Sequence, residues 1–389
     1  MSTLKPIIGH FHPIWLPSTM TWLYRQVVEL GMHCDNFVYA EKKDHEQRFP
    51  IENLRLFSEL PVFERMSDRF KKKFGFTDSL NSLTQMMRMD QIQLLHSHFG
   101  HIGVTGAAMA KSVGIPHVVS FYGLDIHHIP KKYPSLGANY EKMFRSTERV
   151  FCEGAYMAQS IVGLGADPDK VKVHPLGIDL DSISFEPRVW DQKGPINFLI
   201  AASFRQKKGI PLALKALAEI KKHHEIRITI IGDSGLDQES LLEKKNIYDT
   251  VHQHNLESVV TFLGFKSHME MFEIAREHHI FVQPSLHAEN GDCEGGIPVA
   301  LIELAASGMM VVGSDHCDIP SVVVDGETGW LSMENSLVDL VNKISECINN
   351  YNSWSDIAKN ARKLIELDYC AKSQSQKLFK HYLEVINAG

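Results

Sequence analysis

Apolar runs of strand length alternate with amphipathic stretches of helical period from one end of the chain to the other. In the first half, residues 6–9, 34–39, 92–97, 117–121 and 150–152 read as strands, and 19–30, 103–113 and 155–163 as helices. In the second half the strands fall at 196–201, 226–231, 259–263, 280–283 and 310–313, with helices at 211–221 and 298–306 among the segments between them. Such alternation predicts parallel sheets covered by helices. The stretch PLGIDLDSISFEPRVWDQKGP (175–195) holds three prolines and no helical period, so it marks a boundary. The expected α/β architecture is two Rossmann-like, doubly wound domains, at 1–180 and 181–365. A C-terminal helix at 366–389 is expected to return to the N-terminal domain. Folds of this type carry their ligand loops at the carboxyl ends of the strands, here toward a shared cleft.

Composition narrows the class. The 389 residues are 44% hydrophobic and 22% charged, which excludes a disordered, collagenous or disulfide-scaffolded chain. No uninterrupted apolar run of about 18 residues is present, and residues 1–10 lack the layout of a secretory signal. The six cysteines show no paired metal-ligand spacing, so reduced thiols and a cytoplasmic location are expected. Charge is uneven: residues 1–150 carry 18 Lys and Arg against 14 Asp and Glu (+4), and the remainder 22 against 33 (−11). The two halves are therefore expected to meet different partners.

Four loop segments carry candidate chemistry. In AASFRQKKG (201–209), Arg205, Lys207 and Lys208 cluster at a helix mouth, a setting for an anion or for a solvated basic turn. In GDCEGGIPVALIE (291–303), Gly295 and Gly296 permit close backbone approach, and Pro298 opens a helix. Glu303 would accept two hydroxyls of a ribose; alternatively it is an exposed helix residue and Glu294 a surface acid near the helix dipole. Gly232-Asp233 and Gly264-Phe265 each end an apolar strand, as ligand-side residues or as ordinary turns. In the front half, HSHFGH (96–101) and FYGLD (121–125) place His98, Tyr122 and Asp125 at strand ends, where they would position an acceptor or serve the packing. A zinc site from His96, His98 and His101 is the weaker reading there, since no H-E-x-x-H or paired cysteine set accompanies them. P-loop, nucleophile-elbow and dinucleotide fingerprints are missing.

Taken in order, HSHFG, IPHVVSFYGLDI, VKVHPLGIDL, AASFRQKKGIPLALKAL, ITIIGDSG, VTFLGFKSHMEM and EGGIPVALIELAASGMMVVGSDHCDIPSVVVDGETGWL resemble the retaining nucleotide-sugar glycosyltransferases of family 4, with the GT-B fold. Their general style is similar to bacterial exopolysaccharide and lipopolysaccharide assembly enzymes. The resemblance implies that Lys208 and an upstream arginine bind the donor diphosphate together with Gly295, Gly296 and Ile297. It also implies that Glu303 holds the ribose, that Glu294 reaches the transferred sugar, and that Gly264 and Phe265 lie near the base. Three positions depart from the family pattern. Ser203 stands where the arginine is usual, which makes Arg205 its substitute. The two glutamates have eight residues between them instead of seven, and Tyr122 replaces a common histidine, leaving His98 and Asp125 as catalytic candidates with Tyr122 on the acceptor side.

The implied reaction moves a sugar from a nucleoside-diphosphate donor to a hydroxyl of a glycan or glycolipid, with retention. Fixed cations and a helix N-terminus would stabilise the leaving diphosphate, so neither cofactor nor metal is expected. The rival readings are a GT-B epimerase or phosphorylase, or a non-catalytic binding module of the same fold. Nucleic acid is not an expected partner. Residues 64–88 carry six Lys and Arg against three acids, interspersed with Phe, Leu and Met. They read either as a solvated helix with one packed face or as a contact with an anionic membrane, on the inner face of the cytoplasmic membrane.

Overall fold

The computed structural model describes residues 5–17, 20–45, 47–73 and 81–388. The chain forms two compact units, residues 1–179 with 370–389, and residues 180–369.

The first unit is built on seven parallel strands: β1 (Ile7–Phe11), β2 (Asp35–Ala40), β3 (Leu54–Leu56), β4 (Leu94–His98), β5 (His117–Ser120), β6 (Arg149–Cys152) and β7 (Val171–Val173). They are ordered β3-β2-β1-β4-β5-β6-β7. Helices α1 (Thr21–Leu30), α2 (Val62–Lys73), α3 (Asn81–Met89), α4 (Gly100–Val113), α5 (Ser135–Ser146) and α6 (Ala155–Gly163) connect them. The basic segment 64–88 thus contributes most of α2 and α3, and its residues 74–80 lie outside the described residues.

The second unit has six parallel strands: β8 (Ile196–Ala201), β9 (Ile226–Ile231), β10 (Val260–Gly264), β11 (Ile280–Gln283), β12 (Met310–Ser314) and β13 (Trp330–Ser332). Their order is β10-β9-β8-β11-β12-β13. The helices are α7 (Ile210–Ile220), α8 (Gln238–Gln253), α9 (His268–Ala275), α10 (Val299–Ala306), α11 (Leu337–Asn349) and α12 (Trp354–Asp368). Each sheet runs outward from its first strand and then reverses. The reversal lies between β1 and β4 in one unit and between β8 and β11 in the other, and such switch points open ligand crevices.

Packing follows the sequence pattern. On β8, Ile196, Phe198 and Ile200 point to one face and pack with Ala213, Leu214, Leu217 and Ile220 of α7. The last helix, α13 (Ala371–Ala388), belongs to the first unit. Its Leu378, Tyr382 and Val385 share a core with Ile8, Leu94, Val118 and Phe151. This sheet face needs the apolar stripe of α13 to be covered. At the start of the second unit, the buried Arg188 guanidinium donates to the carbonyls of His278, Ser307 and Ala275. Backbone acceptors stand there in place of a carboxylate. Among the described residues, no helix is long and apolar enough to cross a membrane.

The two proline-led helices begin one residue away from the sequence expectation. α10 begins at Val299, with Pro298 as the residue before it at φ −57° and ψ 124°. α7 begins at Ile210, placing Pro211 second. In both, proline still falls where its missing N–H would have had no helical partner.

Candidate active site

The switch point of the second unit lies between two loops. Residues 202–209 follow β8, and residues 284–298 follow β11. Gly209 lets them approach: its φ is 63°, and a Cβ there would stand 2.0 Å from the Pro284 carbonyl oxygen. The Leu286 amide donates to the Lys207 carbonyl at 2.9 Å, and the Glu289 amide to the Gln206 side chain at 3.0 Å.

Two ion pairs cross between these loops. Lys208 Nζ donates to both Glu294 oxygens, at 2.9 and 2.8 Å. Lys207 Nζ reaches Asp292 at 3.2 Å and the Cys293 carbonyl at 2.9 Å. Glu294 also accepts from Ser285 Oγ at 2.8 Å. Burial opposes its charge, yet Lys208 and Lys207 outweigh burial and hold its carboxyl down at about 2. Burial also opposes the charge on Lys207, and Glu294 and Asp292 together lift it above the ordinary lysine value.

Gly295 follows at φ 76°, and Ile297 is buried. Pro298, the residue before α10, makes no capping side-chain hydrogen bond. Glu303, on α10, is buried and accepts from His268 Nε2 at 2.8 Å. The exposed-helix alternative for Glu303 is therefore replaced by a held carboxylate. His268 itself opens α9 behind a capping box formed by Ser267 and Glu270. Gly264 closes β10 at φ 66°, and Phe265 beyond it is largely exposed.

Arg205 is placed differently from the two lysines. Its guanidinium makes a bidentate pair with Asp237, at 2.7 and 2.8 Å, and Asp237 caps α8. Arg205 and Lys207 line a depression of about 240 Å³ with Glu239, Asn290 and Asp292, and neither Lys208 nor Glu294 lines it. Ser203 is exposed.

In the first unit, both oxygens of buried Asp125 accept backbone N–H groups, from Gly100 at 2.5 Å and Tyr122 at 3.0 Å. Burial lifts its carboxyl to about 6 against the pull of those amides. Gly100 opens α4, so Asp125 caps that helix from a neighbouring loop. His98 is buried and bonded at both ring nitrogens, to Tyr122 Oη at 2.8 Å and His10 Nδ1 at 3.1 Å. Burial, then the like charges of His96, His10 and His12, holds its pKa well below the usual imidazole value. His98 and Asp125 thus carry hydrogen bonds at the base of the Tyr122 loop, and the Tyr122 ring packs at a tilt against Trp22 with centroids 4.4 Å apart. His96 and His98 do face one side of the strand, but the third member of their cluster is His10 instead of His101.

Sequence reasoning missed Asp292, Ser285 and His268. The first two lie in a loop with no periodic signal. The S-x-x-E box at Ser267–Glu270 was the available sign that His268 starts a helix beside the site.

Comparison with known proteins places the chain in a family. The Glycosyltransferase Family 4 model matches residues 18–182, and the Glycosyl transferases group 1 model matches residues 184–364. AmsK of Erwinia amylovora, an amylovoran biosynthesis glycosyltransferase, is 29% identical over 61% of this chain and 56% of its own length. WcaL of Salmonella typhimurium, named for colanic acid biosynthesis, is 27% identical over 72% of this chain and 68% of its own. The matches therefore span roughly half to two thirds of these relatives. Among solved structures, Anabaena HepE in complex with UDP and glucose superposes with a TM-score of 0.76 at 15% identity, covering 98% of this chain and 100% of that one. Sucrose-phosphate synthase from Thermosynechococcus elongatus gives 0.77 at 15% identity, covering 99% and 100%. Joined to the two reversing sheets, the paired family matches show that the chain belongs to the glycosyltransferases of family 4 and has their GT-B fold.

Proposed function

We propose that this glycosyltransferase moves a sugar from a nucleoside-diphosphate donor to a hydroxyl of a glycan or glycolipid, with retention, in exopolysaccharide assembly. The observation that carries this reading is the Lys208–Glu294 pair at the switch point of the second unit. A leaving diphosphate develops negative charge, which in this reading Lys208, Lys207 and the N-terminus of α10 meet. Each lysine is balanced by a carboxylate, Lys207 by Asp292 and Lys208 by Glu294. Donor binding therefore exchanges Glu294 for phosphate oxygens at Lys208 and releases Glu294 toward the sugar hydroxyls. Glu303, held by His268, is the acceptor for the ribose diol. Gly264 and Phe265 stand on the base side. We assign His98 and Asp125 to supporting the acceptor-side loop that carries Tyr122, because both are fully engaged within the protein. Arg205 joins the diphosphate only by leaving Asp237. The step needs no metal in this reading.

The acceptor side of the proposal includes an anionic membrane. At the start of α2, Val62, Phe63 and Met66 are exposed, and the helix sequence is rich in Arg and Lys. This would place the enzyme on the cytoplasmic face. Flotation with anionic vesicles at low and high salt checks it, with no low-salt binding as the opposing result.

The reaction is tested with a panel of nucleotide sugars, read by transfer, hydrolysis and thermal stabilisation. Losing one charged donor at the diphosphate lowers the rate by about 10²–10³-fold. Lys208→Ala should show such a loss, and Glu303→Ala should weaken donor binding. Full activity of both variants with the preferred donor would overturn the site assignment.

A further inference from the structure

Beside the lysine loop, the second unit gathers two imidazoles and a thiol. His287 lies in the loop after β11, and His316 and Cys317 lie in the loop after β12. One nitrogen of each ring and the Cys317 sulfur fall within 4.8 Å of one another. Glu334 organises both rings. Its carboxylate accepts from His287 Nδ1 at 2.8 Å, from His316 Nδ1 at 2.9 Å, and from the His287 amide at 2.6 Å. With Nδ1–H given to a carboxylate, each neutral ring carries its lone pair on Nε2. His316 shows this directly, since its Nε2 accepts the Glu294 amide at 3.1 Å and lies 3.1 Å from Cys317 Sγ. Cys317 holds a left-handed backbone, φ 50°, which few side-chain-bearing residues adopt.

A second imidazole cluster, His10, His96 and His98, has equally close ring nitrogens. There each ring is bonded at both nitrogens: His10 to His98 and Asn36, His96 to Tyr382 and Ser120, and His98 to His10 and Tyr122. In the rear cluster His316 is likewise bonded at both nitrogens, but one outer carboxylate orients both imidazoles and a sulfur stands 3.1 Å from His316 Nε2, the arrangement of a ligand set.

We propose that His287, His316 and Cys317 form a binding site for a soft divalent cation of the zinc class, with Glu334 as the residue that positions both imidazoles. Imidazole nitrogen and thiolate sulfur select such ions over magnesium or calcium. Binding replaces the Cys317 thiol proton, which leaves to solvent, and exchanges the Glu294 amide at His316 Nε2 for the metal. Solvent fills the fourth position. His287 is half exposed while His316 is fully buried, so the ion enters from the His287 side.

The test uses the full chain, stripped of metal and kept in a phosphine reductant. Zinc added in competition with a chromophoric chelator of micromolar affinity is expected to bind at one equivalent per chain. Cobalt is expected to give an intense tetrahedral visible spectrum and a thiolate-to-cobalt band in the near ultraviolet. Cys317→Ser should abolish that band. Glu334→Gln should weaken zinc by about 10–100-fold, and His287→Ala, at the exposed edge and tolerable to the fold, by at least as much. If the wild-type protein draws no zinc from the chelator, or if Cys317→Ser keeps both stoichiometry and band, the proposal is overturned.

Discussion

Glu294 holds its charge because two ammonium groups surround it in a site from which water is largely removed, and that fixes what it can do. A carboxyl held at about 2 is ionised throughout the working range. It can accept a hydroxyl proton or stabilise positive charge, but it has no proton to give, unlike general acids whose pKa is raised toward neutrality. Glu294→Gln is therefore expected to lower kcat/KM, which reports the free enzyme, by the same factor at every pH between about 5 and 8. A limb in the wild-type pH–rate profile that disappears in the variant would contradict this. The same pair sets a stability term. Removing Lys208 leaves a buried carboxylate with Lys207 as its remaining cation, and breaking such a pair costs about 3 kcal/mol. Lys208→Met should show that loss in urea unfolding, and Lys208→Met with Glu294→Gln should recover most of it. Glu303 gives a residue-scale prediction of a different kind. If its carboxylate holds a vicinal diol, wild type prefers a ribonucleotide donor to its 2′-deoxy analogue, and Glu303→Ala loses that preference, read by competition binding.

At the scale of elements, α9 links local structure to the proposed ribose side. Its capping box places His268 at the first helical position, and His268 in turn holds Glu303 on α10. Ser267→Ala removes the cap and should destabilise by about 1 kcal/mol. It should also weaken nucleoside-diphosphate binding while leaving the acceptor KM unchanged; equal shifts in both constants would show that α9 does not carry this link. Elements of this kind divide into those legible in the sequence and those that were not. The strands Ile196–Ala201, Ile226–Ile231 and Ile280–Gln283 were read at their observed ends, because a parallel strand buried on both faces is a continuous apolar run between polar loops. Leu54–Leu56, Val171–Val173 and Trp330–Ser332 were missed. Each is a three-residue outermost strand, too short for any period to register. The same division runs through the site. Lys208, Glu294 and Glu303 stood out by residue type and spacing. The pairing of Arg205 with Asp237, and the burial of Asp125 and His98, depend on loops that meet only in three dimensions.

At the scale of the whole molecule, the two units share a sheet order but treat histidine differently. In the first unit His10, His96, His98, His117 and His174 are buried, and burial is the first cause that lowers each of them, His10 to about 4 and His117 and His174 to about 3. In the second unit, burial lowers His278 and His279, and both are less enclosed. A histidine kept neutral in the fold binds its proton only in the unfolded chain once the pH falls below about 6.5. The unfolded state then holds more protons, so stability falls as pH falls, by up to about 1.4 kcal/mol per pH unit for each such ring. At pH 5 this amounts to about 2 kcal/mol for each of His10, His117 and His174, a large part of the whole stability of an ordinary domain. The first unit is therefore expected to lose its fold between about pH 6 and 4, ahead of the second. Peptide-resolved hydrogen exchange across that range, corrected for the intrinsic rate at each pH, reads the two units separately. Loss of protection should appear first in β1, β4 and β5, and also in α13, whose Tyr382 bonds His96 at 2.6 Å. Protection lost first in β8 and β11 would mean that the first-unit imidazoles are hydrated in solution and that their neutral, interlocked arrangement does not hold the sheet together.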